Sequence, residues 1–203
     1  MRRAVADMLS GPGASVLLGG CEPFSHPELV SIVTQSVAAG VRRLGLHSDA
    51  AALTRGENAT GAVSSGVRRL DVTFLGGDES THDRLIGRPG SFTSSIAGMQ
   101  AFREAGERMV VPVVITGSVP VCRHVVFDIP AIVERFARSG ASSVELVFED
   151  PSIADAGMVR TIIAACETGI VNGVWVSVRG LDPAALGRHD LHGRAPVTCR
   201  EMV

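Results

Sequence analysis

Four short stretches of this chain hold residue types that do chemistry. Gly19-Gly20-Cys21-Glu22-Pro23 follows a brief apolar run, Val16–Leu18. Glycines there let the backbone turn sharply or approach a ligand, because no Cβ intervenes. Cys122-Arg123-His124 and His189-Asp190-Leu191-His192 each bring two soft or imidazole donors together. A closed zinc site needs four donors, and nothing nearby supplies the rest at a suitable spacing, so no metal site is expected. Glu149-Asp150-Pro151 closes a strand-like run. An acidic pair at that end can hold a cation or an amine, or simply start a turn. Among the isolated histidines, His26 precedes Pro27 where a helix would begin, and a helix cap is its expected role. His82 and Asp83 sit in a glycine-rich loop that they are expected to tie down. No residue is assigned a catalytic role.

Elements must position these groups, and their order is legible. Val16–Leu18 is a strand, Pro23 pushes Glu22 into an extended conformation, and Pro27 suits the first turn of a helix. Pro27–Ala38 has apolar residues at Leu29, Val30, Ile32, Val33 and Val37, an amphipathic helix closed by Gly40. Strand, glycine turn and helix make a βα corner of the kind that binds small ligands at the carboxyl ends of parallel strands. The unit then repeats. Ala39-Gly40-Val41-Arg42-Arg43-Leu44 returns as Ser65-Gly66-Val67-Arg68-Arg69-Leu70, and more loosely as Ser139-Gly140-Ala141-Ser142-Ser143-Val144. Ala105-Gly106 before Met109–Ile115 is expected to follow the same form, a helix ending at glycine and feeding a strand.

Strand signals fall near Val16, Leu44, Val72, Val113, Leu146 and Val176. A closed eight-stranded barrel needs roughly 250 residues. The expected fold is therefore α/β, a partial (β/α)6 TIM-type barrel with parallel strands, incompletely closed. The expected organisation is an N-terminal helix or linker over 1–14, with a helix at Arg2–Leu9, a partial barrel over 15–178 and a C-terminal tail over 179–203. Gly56 and Gly61 weaken Ala50–Ser65 as a helix, so that wall is expected to be partly irregular. A short helix from Ser80 and a longer one over Phe92–Ala105 follow.

The bulk properties narrow the class. The chain has 203 residues, 45% hydrophobic and 20% charged, with net charge −2. This composition excludes disorder and gives no electrostatic case for nucleic acid or an anionic membrane. No run approaches a membrane span, no signal peptide is apparent, and the scattered cysteines suit a reducing cytoplasm.

Two stretches resemble one family. Gly19-Gly20-Cys21-Glu22-Pro23 with His26-Pro27-Glu28-Leu29 is similar to the glycine-glutamate-proline corner of radical S-adenosylmethionine (radical SAM) enzymes. Thr81-His82-Asp83-Arg84-Leu85, with Gly87 and Pro89-Gly90-Ser91-Phe92, looks like a later loop in their peptide- and cofactor-modifying branch. His47-Ser48-Asp49 stands where that family usually has a Thr-Asn-Gly turn. The resemblance runs from Ser15 to about Phe148. It implies that Gly19, Gly20, Cys21 and Glu22 present backbone groups to the amino group of adenosylmethionine, with Ser48 and Asp49 facing its ribose or methionine part. Thr73 would line the same cavity.

The resemblance also implies a cluster that these residues do not provide. The family holds a four-iron cluster with Cys-x3-Cys-x2-Cys, because three thiolates leave one iron open. No such spacing exists among Cys21, Cys122, Cys166 and Cys199. The expectation is a truncated or degenerate relative, with no four-iron cluster on this chain and adenosylmethionine as the one candidate cofactor. Its role would be that of a non-catalytic partner or scaffold that retains an adenosylmethionine or peptide pocket. The alternative is a radical SAM enzyme whose cluster segment is missing here or supplied by another chain. Loss of the preceding βα unit would bare the strand edge near Val16–Leu18, so a homodimer or heteromer through that edge is expected.

Overall fold

A computed structural model describes residues 15–150, 152, 154–181 and 198–200. The expected Arg2–Leu9 helix, the His189 and His192 pair and most of the 179–203 tail lie outside them. The chain divides into two compact units, Met1–Val72 with Thr93–Ile115, and Thr73–Phe92 with Thr116–Val203. Strands β1 (Ser15–Leu18), β2 (Arg43–Ser48) and β3 (Val67–Thr73) pair in parallel, in chain order. β4 (Val114–Pro120), which enters the second unit at Thr116, pairs there in the same way with β5 (Ser143–Val147), followed by β6 (Trp175–Arg179) and β7 (Thr198–Arg200). Helices α1 (Leu29–Ala38), α2 (Gly56–Ser65), α3 (Glu79–Ile86), α4 (Ser91–Met109), α5 (Ile129–Arg138) and α6 (Ala156–Val171) fill the connections. The fold is α/β with parallel strands, as the repeated helix-to-strand units imply.

In the first unit, alternate residues of each strand face the helices. Leu44, Leu46, Leu70 and Val72 are buried there with Ala59, Ala62, Val63, Met99 and Phe102. This burial explains why Gly56–Ser65 is a regular helix where irregularity was expected. Ala59, Ala62 and Val63 anchor it, Gly56 is only its first residue, and the irregular part is confined to a 3-10 turn, Ala51–Thr54. Helix α1 buries Val33 alone, while Val30, Ile32 and Val37 remain exposed, so its apolar face is only partly covered.

Glycines end most helices as the repeats predict. Gly40, Gly66 and Gly140 have φ of +99°, +123° and +84°, the left-handed conformation that closes a helix at low cost. Gly106 departs from this pattern. Helix α4 runs through it to Met109, and the left-handed residue is Val110, φ +55°. A Cβ on Gly106 would stand 2.7 Å from Val113 Cγ2 and 2.9 Å from the Val111 carbonyl oxygen. That glycine serves a close approach rather than a stop, and so the strand begins at Val114 instead of Met109.

In the second unit α5 buries Ile129, Ile132, Val133 and Phe136 at i, i+3, i+4 and i+7 spacing. Phe74 stacks on Phe136, ring centroids 4.5 Å apart, and on Phe92 at 5.2 Å. Strand β7 has no counterpart in the sequence expectations. Three residues are too few for a periodic signal, and its pairing with β6 is long-range in the chain.

Candidate functional site

The corner after β1 is built around one carboxylate. Glu22 accepts the Ser48 hydroxyl on both oxygens, at 2.8 and 3.0 Å, and the Asp49 N–H at 3.0 Å. It also accepts the N–H of Phe24 at 3.1 Å, which caps the short 3-10 turn Pro23–Ser25. The carboxyl ends of β1 and β2 are thus tied by a charged acceptor, and such bonds are stronger than neutral ones. Around this tie the backbone of Gly19, Gly20 and Cys21 is exposed. Gly20 is left-handed, φ +96°, with open space where a Cβ would stand. A Cβ on Gly19 would lie 2.9 Å from His47 Cβ, so only glycine fits.

The β2 end is equally constrained. Ser48 is 3% exposed, and its Oγ accepts the Ala50 N–H at 2.9 Å while donating to Glu22. Asp49 Oδ1 accepts the Ala51 N–H at 2.8 Å, a local turn that leaves its main chain bonded to Glu22. Ala50 is fully buried in the left-handed region, φ +62°, which disfavours a residue with a Cβ. Helix α4 presses on this turn at Gly98, where a Cβ would stand 1.9 Å from the Ala50 carbonyl oxygen. Neither Ala50 nor Gly98 is conspicuous in the sequence, because each matters only through the other.

Glu22, Ser48 and Asp49 are therefore brought together with Gly19, Gly20 and Cys21. Thr73 is placed as the last residue of β3, half-buried, in the other unit. His26 does not cap the helix: the helix starts at Leu29 with Glu28 at the cap position and no side-chain cap bond, and His26 Nδ1 accepts the Glu28 N–H at 3.2 Å in the turn before it.

The second motif holds its own loop. His82 is buried, its Nδ1 accepts the Leu75 N–H at 3.2 Å, and its ring lies edge-on to Phe74. Asp83 accepts the Ser91 hydroxyl at 2.7 Å, the Phe92 N–H at 2.9 Å and the Gly90 N–H, which fixes the start of α4. Burial alone would push this carboxyl up. The bonds from Phe92, Ser91 and Gly90 outweigh it and hold Asp83 below the usual carboxylate range. Asp150 binds the N–H and hydroxyl of Ser152, so the Glu149-Asp150 pair starts a turn.

Among the described residues no three His, Cys, Asp or Glu side chains gather as metal ligands. Cys21 is exposed, Cys122 half-buried and Cys166 buried, with burial pushing the last thiol up to about 11. No three of the four cysteines stand in the Cys-x3-Cys-x2-Cys spacing. At the glycine corner the exposed Gly20 has positive φ, and the Glu22 clasp braces the turn from behind. No helix among the described residues is long and apolar enough to cross a membrane.

Fold and corner together define an α/β protein of parallel strands whose β1 and β2 carboxyl ends are tied by the Glu22 hydrogen bonds. No protein-family profile matches the chain. It is similar in sequence to AdoMet-dependent heme synthases. One, from Methanosarcina barkeri, is 33% identical over 90 residues, 44% of this chain and 25% of that protein. Another, from Nitratidesulfovibrio vulgaris, is 25% identical over 166 residues, 81% of this chain and 43% of the relative. The chain thus spans less than half the length of these relatives, and the likeness supports a radical-SAM-like relationship. Among solved structures, a phosphonomutase-like protein from Burkholderia cenocepacia superposes with TM-score 0.51 at 14% identity, over 80% of this chain and 66% of that one. The HMG-CoA lyase of Brucella melitensis gives 0.50 at 14%, over 78% and 55%. Both likenesses are of fold alone, that of TIM-barrel proteins.

Proposed function

We propose that this chain is a radical-SAM-like protein that binds adenosylmethionine at the β1–β2 corner without performing radical chemistry by itself. The observation that supports this most is the Glu22 clasp, which braces an exposed Gly19-Gly20-Cys21 backbone where ligands of α/β proteins sit. Main-chain groups of Gly19 to Glu22 would hold the amino group, with Ser48 and Asp49 toward the ribose or methionine part. Adenosylmethionine would supply a sulfonium and, when reduced by a cluster, a radical; the 203 residues contain no Cys-x3-Cys-x2-Cys to hold the cluster that donates that electron. The role is then a partner or scaffold. Among the described residues the outer edge of β1 pairs with no strand, and Leu17, Val30 and Ile32 are exposed, which suits assembly with a second copy or another chain.

A second reading rests on the greater length of the heme synthase relatives. In it a cluster-bearing segment acts with this corner, and the assembly is an enzyme on a heme-type substrate. Calorimetric titration with adenosylmethionine tests the shared part. Saturable heat with one site per chain is expected, weakened at least tenfold in Gly20→Val. Absence of heat in the parent protein overturns it. Anaerobic reconstitution with iron and sulfide separates the two readings, since four irons per chain would overturn the scaffold role.

A further inference from the structure

Two neighbouring residues of α3 hold the segment between β3 and α4 at its two ends, all within the second unit. His82 takes the entrance, where its Nδ1 accepts the Leu75 N–H at 3.2 Å just past the end of β3. Asp83 takes the exit, where its carboxylate accepts the Phe92 and Gly90 N–H groups and the Ser91 hydroxyl as α4 begins. Helix α3 is itself capped by Asp78, which accepts the Thr81 N–H, and it leaves through a left-handed Gly87. Both ends of the segment therefore hang on side chains that exchange protons, and the two do so at different pH.

The histidine end is the one that responds near neutrality. An imidazole that accepts through Nδ1 carries no proton there, whereas a protonated ring is a donor at both nitrogens. The Leu75 bond and the second proton therefore exclude each other. The ring is 1% exposed and lies edge-on to Phe74 and Phe92, with centroids 5.0 and 5.6 Å apart. The entrance also passes close over the helix: a Cβ on Gly76 would stand 2.7 Å from the His82 backbone nitrogen. Charges on the surrounding elements pull both ways. Asp83, on the same helix, favours a charged imidazole, while its oxygens stay committed to the start of α4. Asp78, Glu79 and Arg84 are exposed. From α5, Arg135 lies over the Phe92 ring, 5.6 Å from its centroid, and opposes a second cation beside that ring.

We propose that His82 is an acid-sensitive latch on the Leu75–Phe92 segment, closed while the imidazole is neutral and opened by protonation, with Asp83 retaining the α4 end. It is independent of adenosylmethionine binding. An imidazole freed from Leu75 takes its proton near the ordinary histidine value of about 6.5, so the opening constant grows about tenfold between pH 7.5 and 5.5. The bonds of Asp83, held below 3.8, persist through that range.

Amide hydrogen exchange on the full chain, corrected for the intrinsic effect of pH, reads the opening, and nitrogen-15 NMR of the imidazoles reads the proton on His82. Exchange at Leu75 and through α3 is expected to rise about tenfold from pH 7.5 to 5.5, with Phe92 and strands β5 and β6 unchanged. Its midpoint should coincide with that of His82 protonation. His82→Asn keeps an acceptor at the reach of Nδ1 and takes no proton, so its exchange should stay flat over the same range. Should that variant fail to fold, the coincidence of the two midpoints in the parent protein decides. A His82 already doubly protonated at pH 7.5 with Leu75 protected would overturn the latch, as would a His82 that stays neutral to pH 5.5 with no rise in exchange. So would unchanged Leu75 exchange while His82 gains its proton, or an undiminished rise in His82→Asn. An equal rise in every strand would overturn it too, by assigning the effect to acid unfolding of the whole chain.

Discussion

Removing the Ser48 hydroxyl breaks two bonds at once, and a double-mutant cycle with Glu22 separates them. Ser48 Oγ donates to Glu22 at 2.8 Å and accepts the Ala50 N–H at 2.9 Å. A hydrogen bond to a charged group contributes about 1.5–3 kcal/mol, and a buried N–H without an acceptor costs about 1–3 kcal/mol. Ala50 is fully buried, so Ser48→Ala is expected to lose about 3–5 kcal/mol. Glu22→Gln keeps one acceptor oxygen but turns an amide donor toward either Ser48 or the Asp49 N–H, and should lose about 2–3 kcal/mol. Because both variants delete the same bond, the double variant should fall short of the sum by about 1.5–2 kcal/mol. Urea unfolding followed by far-UV circular dichroism measures all three. At about 2–4 °C per kcal/mol for a chain of this size, Ser48→Ala also lowers Tm by roughly 10 °C. Additive losses within about 0.5 kcal/mol would show that Glu22 and Ser48 do not act as one clasp.

Three further outcomes follow from the same geometry. Helix propensity alone would make Gly98→Ala stabilising by about 1 kcal/mol; the 1.9 Å approach to the Ala50 carbonyl oxygen makes it destabilising instead, by about 2 kcal/mol or more in urea unfolding, and a gain would refute that packing. Asp83 is held below its ordinary value of 3.8, so its contribution to stability is complete above about pH 5 and is lost as pH falls through 3.8 and below. Asp83→Asn should flatten part of that acid loss in Tm-against-pH scans, with Asp78, Asp150 and Asp155, whose carboxyls shift the same way, contributing to what remains. Cys166, with its thiol pushed up to about 11, should resist maleimide at pH 8 until the chain is unfolded, while the exposed Cys21 labels in the native protein; peptide mapping by mass spectrometry distinguishes them, and early Cys166 labelling would contradict its burial.

Local chemistry made much of this protein readable in one dimension. The small-Gly-strand repeats announced parallel α/β units, since a helix that must stop and a strand that must start leave marks within a few residues. Gly40, Gly66 and Gly140 carry the left-handed φ those repeats imply, and His82 and Asp83 bind the loop they stand in. What the chain order could not reveal was contact between distant segments. Gly106 looked like Gly40 but serves close packing, and the helical stop moved to Val110. Gly56–Ser65 became a sound helix because its small apolar residues were buried, a gain that propensity does not contain. Likewise the closure of Glu22 on Ser48, the seat of Gly98 on Ala50 and the row of His47 beside Asp71 exist only through register and packing. Residue type tells which groups can bond or turn; only the folded chain decides which ones meet, because their partners lie tens of residues away.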